Sequence, residues 1–210
     1  MSKTYKNKKE LVDSMIAKNH SVLDVGFWGQ GVSFDDPNWV HALLLARAKE
    51  VYGIDLEFDI SKISHPERYI QVSAENFNLG RTFDVIFAGD LIEHLSNPGL
   101  FLESSKRHLS SDGKLVITTP NAFNVFNLAE KVSKGEPTVN HDHTCYFNPK
   151  TIKQLLDKND LSVESIDYIY SLGLKHKESF KKKILNIIYY IACRFNPSYA
   201  ETMVIIAVPK

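Results

Sequence analysis

Three groups of residues in this sequence have types and spacings suited to chemistry. The run Val22-Leu23-Asp24-Val25-Gly26-Phe27-Trp28-Gly29-Gln30-Gly31 reads as a buried strand entering a glycine-rich turn, and a second strand-like run, Val51-Tyr52-Gly53-Ile54, ends on Asp55. Glycines let a backbone approach a ligand closely, and an acid at the next strand end, roughly 20 residues on, accepts hydrogen bonds from ribose hydroxyls. Together they predict a nucleoside-containing cofactor. The glycines read G-x-x-G-x-G, the wrong order for a dinucleotide fingerprint, which counts against a nicotinamide-linked reductase. The other two groups are Asp90-Leu91-Ile92-Glu93-His94 and Asn140-His141-Asp142-His143. On a helix Asp90, Glu93 and His94 share one face, at i, i+3 and i+4. Isolated histidines (His20, His41, His65, His108, His176) are expected on the surface or capping helices, without a role.

The elements that must position these groups alternate between apolar runs and helix-period segments, as in a mostly parallel sheet covered on both faces. Strands are expected at about 21–25, 50–54, 69–73, 83–88, 114–119, 163–170 and 202–208. Helices are expected over Lys9–Lys18, after Asp35-Asp36-Pro37, over Leu91–Arg107 with an interruption near Pro98-Gly99, and over Pro149–Asn159. The polar connection 121–144 is too long for a routine turn, so the region 121–148 is expected to act as a lid. The stretch 175–195 joins lysines (Lys175, Lys177, Lys181, Lys182, Lys183) to Ile184, Leu185, Ile187, Ile188 and Ile191. As a basic amphipathic helix it either lies on a membrane surface or over a hydrophobic acceptor, or it packs into the core with a solvated lysine end.

Bulk properties narrow the partners. A chain of 210 residues with 43% apolar and 24% charged residues suits a single α/β domain, 1–210. Its 25 basic and 25 acidic side chains cancel, which argues against a whole-domain nucleic-acid surface. Cys145 and Cys193 have no metal-like spacing and suggest a reducing, cytoplasmic setting. The polar, Lys-rich start lacks a signal-peptide core, and no apolar run approaches the roughly 20 residues of a membrane span.

Strand order and motifs resemble the class I S-adenosylmethionine-dependent methyltransferases over most of residues 20–170. The resemblance implies a seven-stranded Rossmann-like fold with S-adenosyl-L-methionine as cofactor. Asp24 to Gly31 resembles the loop that wraps the methionine part. Asp55 with Leu56 falls where that family binds ribose and adenine, and Ser73-Ala74-Glu75-Asn76 resembles the stretch flanking adenine, with Ser73 where Asp is more usual. The strand Phe83 to Asp90, ending Ala88-Gly89-Asp90, resembles the one beside the reactive sulfonium. Phe27-Trp28 makes the glycine loop one residue longer than the usual D-x-G-x-G-x-G, so that Trp28 either stacks on cofactor or substrate, or the loop is distorted.

Thr118-Thr119-Pro120-Asn121 and the His141–Asn148 region resemble the sugar, quinone and small-RNA O-methyltransferase branches. The small-RNA branch implies a divalent metal site of Asp90, Glu93, His94 and His143 or His141. The duller alternatives are a metal-free base, His94, His141 or His143, or a pair that only orders the loop. Asp142 would then fix a neighbouring imidazole tautomer. Without a cysteine nucleophile near the cleft or an Asn-Pro-Pro-Tyr motif, oxygen is the expected acceptor, on a small molecule or glycan. A lipid-linked acceptor would place the enzyme at the inner membrane face. RNA ribose and a non-catalytic, cofactor-binding regulatory subunit remain alternatives.

Overall fold

The computed structural model describes residues 2–29, 39–171 and 180–210, with the side chains of 180–182 outside the description. Eight strands form one sheet: β1 Thr4–Tyr5, β2 Ser21–Val25, β3 Glu50–Asp55, β4 Tyr69–Gln71, β5 Phe83–Gly89, β6 Leu109–Pro120, β7 Leu161–Ile169 and β8 Thr202–Pro209. Their order is β1-β7-β8-β6-β5-β2-β3-β4. Only β8 runs antiparallel to its neighbours, β6 and β7. The seven expected strands are all present. The eighth, a two-residue edge strand pairing Thr4 with Tyr168 and Tyr5 with Ile169, is too short to carry a periodic signal.

Alternation along the central strands sorts side chains between two cores. Leu23, Ile86 and Ile117 pack on one face with Phe101, Leu102, Ile152 and Leu156. Val22, Val85 and Val116 pack on the other with Leu11, Val12 and Leu44. The helices supplying these partners are α1 Lys8–Met15, α2 Val40–Arg47, α3 Pro98–Arg107 and α5 Pro149–Lys158; α4 is Val125–Lys134 and α6 Phe180–Phe195. Each fully buried Val, Leu, Ile or Phe adds about 1.5–3 kcal/mol relative to exposure, so the layering is strongly favoured. The chain leaves β2 toward β3 and β4, then returns on the other side of β2 as β5 and β6. That reversal opens a crevice at the carboxyl ends of β2 and β5, where such sheets bind ligands.

Two local expectations change. The segment 121–144 is not a plain polar connection: the Asn124 side chain accepts from the amides of Phe126 and Asn127 and starts α4, which stops at Gly135 with φ of 86°. After β5, the helix expected from Leu91 does break near Pro98-Gly99, but the part before the break is not α-helical. A 3₁₀ turn, Ile92–His94, comes first, and α3 starts only at Pro98. The expected helix start at Asp35-Asp36-Pro37 lies outside the described residues, as do Lys175 and Lys177. No described helix is long and apolar enough to cross a membrane.

Candidate active site

At the switch point β2 and β3 end side by side, and the Gly26 amide donates to the Ile54 carbonyl at 2.8 Å. Gly26 turns the chain with φ of 75°, and a Cβ there would stand 3.0 Å from Leu91 Cδ1. Asp55, at the tip of β3, accepts from the Trp28 amide at 2.9 Å through one carboxylate oxygen and from the Glu57 amide at 3.4 Å through the other. Burial raises its carboxyl above the ordinary value, against the pull of these amides. A crevice of about 200 Å³ opens here, lined by Gly26, Asp55, Leu56, Ala74 and Glu75 together with Leu91, His94, Leu95 and Ser96. Of the last four, Leu95 and Ser96 carry no recognisable signal in the sequence, whereas Leu91 and His94 belong to the second chemical group.

The remaining residues expected at a cofactor stand elsewhere or have other partners. Phe27 is 3% exposed and packs with Trp39 and Tyr69. The extra loop residue is thus absorbed by folding an apolar ring away from the crevice. Trp28 meets the Phe27 ring edge-on with centroids 6.0 Å apart. Asp24 is buried under the turn and paired with His41. Ala88 is buried within β5, and Gly89 ends that strand opposite Thr118. The Glu75 carboxylate lies at the crevice but accepts from the Asn97 amide and side chain. Gly29 has φ of 52°, and Gly31 lies outside the described residues.

The second group gathers in part. Glu93, His94 and His143 bring one ligating atom each to within 4.8 Å of one another. The His94 and His143 rings stand edge-to-face, centroids 4.6 Å apart and planes at 87°. Asp90 does not join them: it follows β5 in a left-handed conformation instead of opening a helix. Its carboxylate accepts from the Thr118 hydroxyl at 2.8 Å and pairs with Lys8. His141 lies outside the group as well; it is 89% exposed and pairs with Asp142. His41 and His108, expected on the surface or capping helices, are buried at 2% and 3% exposure and hydrogen-bonded at both ring nitrogens, His108 as the C-cap residue of α3.

Glu93 is buried, and the Thr119 hydroxyl donates to its Oε2 at 2.9 Å. Its Oε1 is buried without a partner among the described residues. Desolvation first, and then the Asp90 charge, push its carboxyl up to about 7. A folded-state value above the unfolded one favours the proton in the folded state. The stability this contributes is therefore complete at pH values below about 4.5 and is lost as pH rises through 7. The expected loss is about 3 kcal/mol at most. Urea unfolding at pH 5 and pH 8 in chelator should show it in the wild type and not in Glu93→Gln. Parallel losses in both would show that Glu93 does not titrate in this window.

Comparison with known proteins supplies the family. A methyltransferase domain family matches residues 6–166. The chain belongs to this family. Among curated relatives of this methyltransferase domain, the ubiquinone biosynthesis O-methyltransferase of Bartonella tribocorum is 26% identical over 167 residues, covering 74% of this chain and 65% of the relative. That of Bartonella quintana is 30% identical over 89 residues, 40% of this chain and 36% of the relative. The methyltransferase domain thus spans less than two thirds of the length of these relatives.

Solved structures share its fold. A putative methyltransferase from Bacillus halodurans superposes with a TM-score of 0.59 at 18% identity, covering 94% of this chain and 95% of its own. A Burkholderia thailandensis 1,6-didemethyltoxoflavin-N1-methyltransferase with bound S-adenosylhomocysteine gives 0.61 at 14% identity, covering 98% of this chain and 79% of its own. The ligand in that Burkholderia structure, S-adenosylhomocysteine, is a nucleoside thioether. The crevice fits such a nucleoside chemically: the Asp55 carboxylate can accept from hydroxyls, and the Gly26 turn forms part of the wall beside it.

Proposed function

We propose that this protein transfers the methyl group of S-adenosylmethionine to a hydroxyl oxygen of a small, ring-bearing apolar molecule, with His143 taking the hydroxyl proton. One observation carries the reading: His94 lines the cofactor crevice while its ring rests against that of His143. This supports an imidazole beside the crevice as the proton acceptor. The cofactor, when bound, supplies an electrophilic methyl group. Asp55 would accept from its ribose hydroxyls, and Leu56 and Ala74 would hold its base. Burial, and then the nearby His94, hold the His143 imidazole below its ordinary value, so it is neutral and ready to accept a proton near pH 7. Aligning the hydroxyl behind the methyl group supplies much of the remaining acceleration.

The acceptor class rests on a second cavity. About 600 Å³ of space lies among Phe126, Tyr170, Leu185 and Tyr189, with Lys6 and Glu201 also contributing to its lining. It adjoins Thr202, which pairs with Pro120 at the end of β6, one strand from β5. Aromatic and aliphatic walls favour a ring with apolar substituents over a glycan. The relatives' O-methyltransferase names support oxygen as the nucleophile. On α6, Ile184, Ile188, Ile191 and Phe195 are exposed at helical spacing. With Lys183 and Arg194 on the same helix, this supports contact with a bilayer surface as the source of an apolar acceptor.

The test is calorimetry with S-adenosylhomocysteine, followed by methyl transfer to alkyl-substituted catechols and to matched glycosides. Turnover of the catechols alone is expected. Turnover of the glycosides alone would overturn the acceptor reading, and the absence of S-adenosylhomocysteine binding would overturn the whole assignment. Metal-assisted deprotonation is the second reading, favoured by the unpartnered Glu93 Oε1 beside His94 and His143. Such mixed oxygen and nitrogen donors suit Mg²⁺, Mn²⁺ or Fe²⁺. Under the metal-free mechanism the rate should stay within about twofold after chelation. A loss of tenfold or more, restored by one of these ions, would establish the metal reading instead.

A further inference from the structure

Beneath the glycine turn lies a hydrogen-bonded chain of three buried polar side chains. His41, in the first turn of α2, places Nδ1 2.8 Å from Asp24 Oδ2 and Nε2 2.8 Å from the Tyr69 hydroxyl. Exposure is 3% for Asp24, 2% for His41 and 8% for Tyr69. With Nδ1 protonated, the imidazole donates to the carboxylate and accepts from the phenol. Burial, and then the Asp24 charge, push the Tyr69 hydroxyl up to about 12, so it stays a donor at any ordinary pH. A carboxylate and an imidazole in an aromatic environment are costly to bury unless fully paired, and an aliphatic pair would pack the same space without that cost. Packing alone does not account for them.

Their position does. Asp24 precedes the turn, and His41 follows it on the next helix, so the pair ties both flanks of the glycine segment together. Trp39 adds a second tie, its indole N–H donating to the Phe27 carbonyl at 2.9 Å. Phe27 itself is clamped by rings, with centroids 5.0 Å from both His41 and Tyr69. The residue after it presents the amide that Asp55 accepts. One continuous set of contacts therefore runs from Tyr69 through His41 to the turn and on to the ribose-binding carboxylate.

We propose that His41 is a positioning residue for cofactor binding: by bridging Asp24 and Tyr69 it holds the Gly26–Trp28 turn in the shape that forms the crevice wall before the cofactor arrives. This rests on the reading that the crevice takes S-adenosylmethionine. A preformed wall spares the cofactor the entropy of ordering the turn, so the loss should appear in cofactor affinity and little in the chemical step.

The test compares His41→Ala, His41→Gln and Tyr69→Phe in the full chain. His41→Ala should raise the S-adenosylhomocysteine Kd and the S-adenosylmethionine KM at least tenfold, with kcat at saturating cofactor within about twofold. His41→Gln, whose amide has both a donor and an acceptor, should recover most of the affinity. Tyr69→Phe, which keeps the ring and is the more certain to fold, should raise both constants about threefold or more. A folded His41→Ala protein with wild-type affinity would overturn the proposal. Should that variant not fold, unchanged constants in Tyr69→Phe would do so. Wild-type protein that binds no S-adenosylhomocysteine would instead defeat the cofactor reading.

Discussion

Gly26→Val should weaken S-adenosylhomocysteine binding by two orders of magnitude or more. The residue sits at φ of 75°, where a β-branched side chain is strained, and its first carbon would already press on Leu91 at 3.0 Å. Left-handed backbone costs an L residue about 1–2 kcal/mol, and relieving the contact means moving either Leu91 or the turn, both of which line the crevice. A combined penalty of about 3 kcal/mol corresponds to a roughly hundredfold change in Kd. Calorimetry checks it, with thermal unfolding alongside to separate binding from folding. A folded variant with Kd within threefold of wild type would mean that the cofactor does not approach this backbone.

His143→Ala should lower kcat by about 10²–10⁴-fold, the usual contribution of a positioned general base, with cofactor affinity unchanged. The residue is held by its loop and not by the crevice. The His143 amide donates to the Asn140 carbonyl at 3.0 Å, and the following Thr144 amide donates to the Glu93 carbonyl at 2.8 Å. Removing the imidazole therefore leaves the backbone path intact. Rates measured across pH 5.5–8.5 add a sign: wild-type activity should fall as His143 gains its proton at low pH, whereas the variant's residual rate should be flat in that range. Retention of more than a tenth of kcat would assign the proton to another acceptor.

The sheet was legible from the sequence because its central strands are buried on both faces, leaving apolar runs such as Val85-Ile86-Phe87 that short-range pattern reading detects. Gly26 and Asp55 were legible for the related reason that both ends of β2 and β3 are punctuated by residue types with few other uses. The Asp90 error had a physical source. Spacing of i, i+3 and i+4 presupposes a helix, but the Thr118 carbonyl and hydroxyl accept the Asp90 amide and turn it left-handed, so a tertiary contact overrode the local pattern. His41 was illegible for another reason. Its two partners come from β2 and β4, 17 and 28 residues away in opposite directions, and nothing local marks a histidine as buried and paired. The helix α4 carries a signal in Asn124 at its N-cap and in Val125, Leu128, Ala129 and Val132 at i, i+3, i+4 and i+7, diluted by the polar residues between them.

The loop that delivers His143 is fastened twice before it reaches α5: Thr144 bonds to the Glu93 and Leu95 carbonyls, and Phe147 bridges back to Asn121. The stretch from Asn121 to Thr144, α4 included, leaves the sheet and returns close to where it left, with Phe126 resting on the Tyr189 ring of α6 on the way. Such an excursion can be lengthened, shortened or exchanged without displacing the imidazole. Descendants of this chain could thus retune which molecule they modify through residues 122–139 alone, leaving the reaction itself inherited intact.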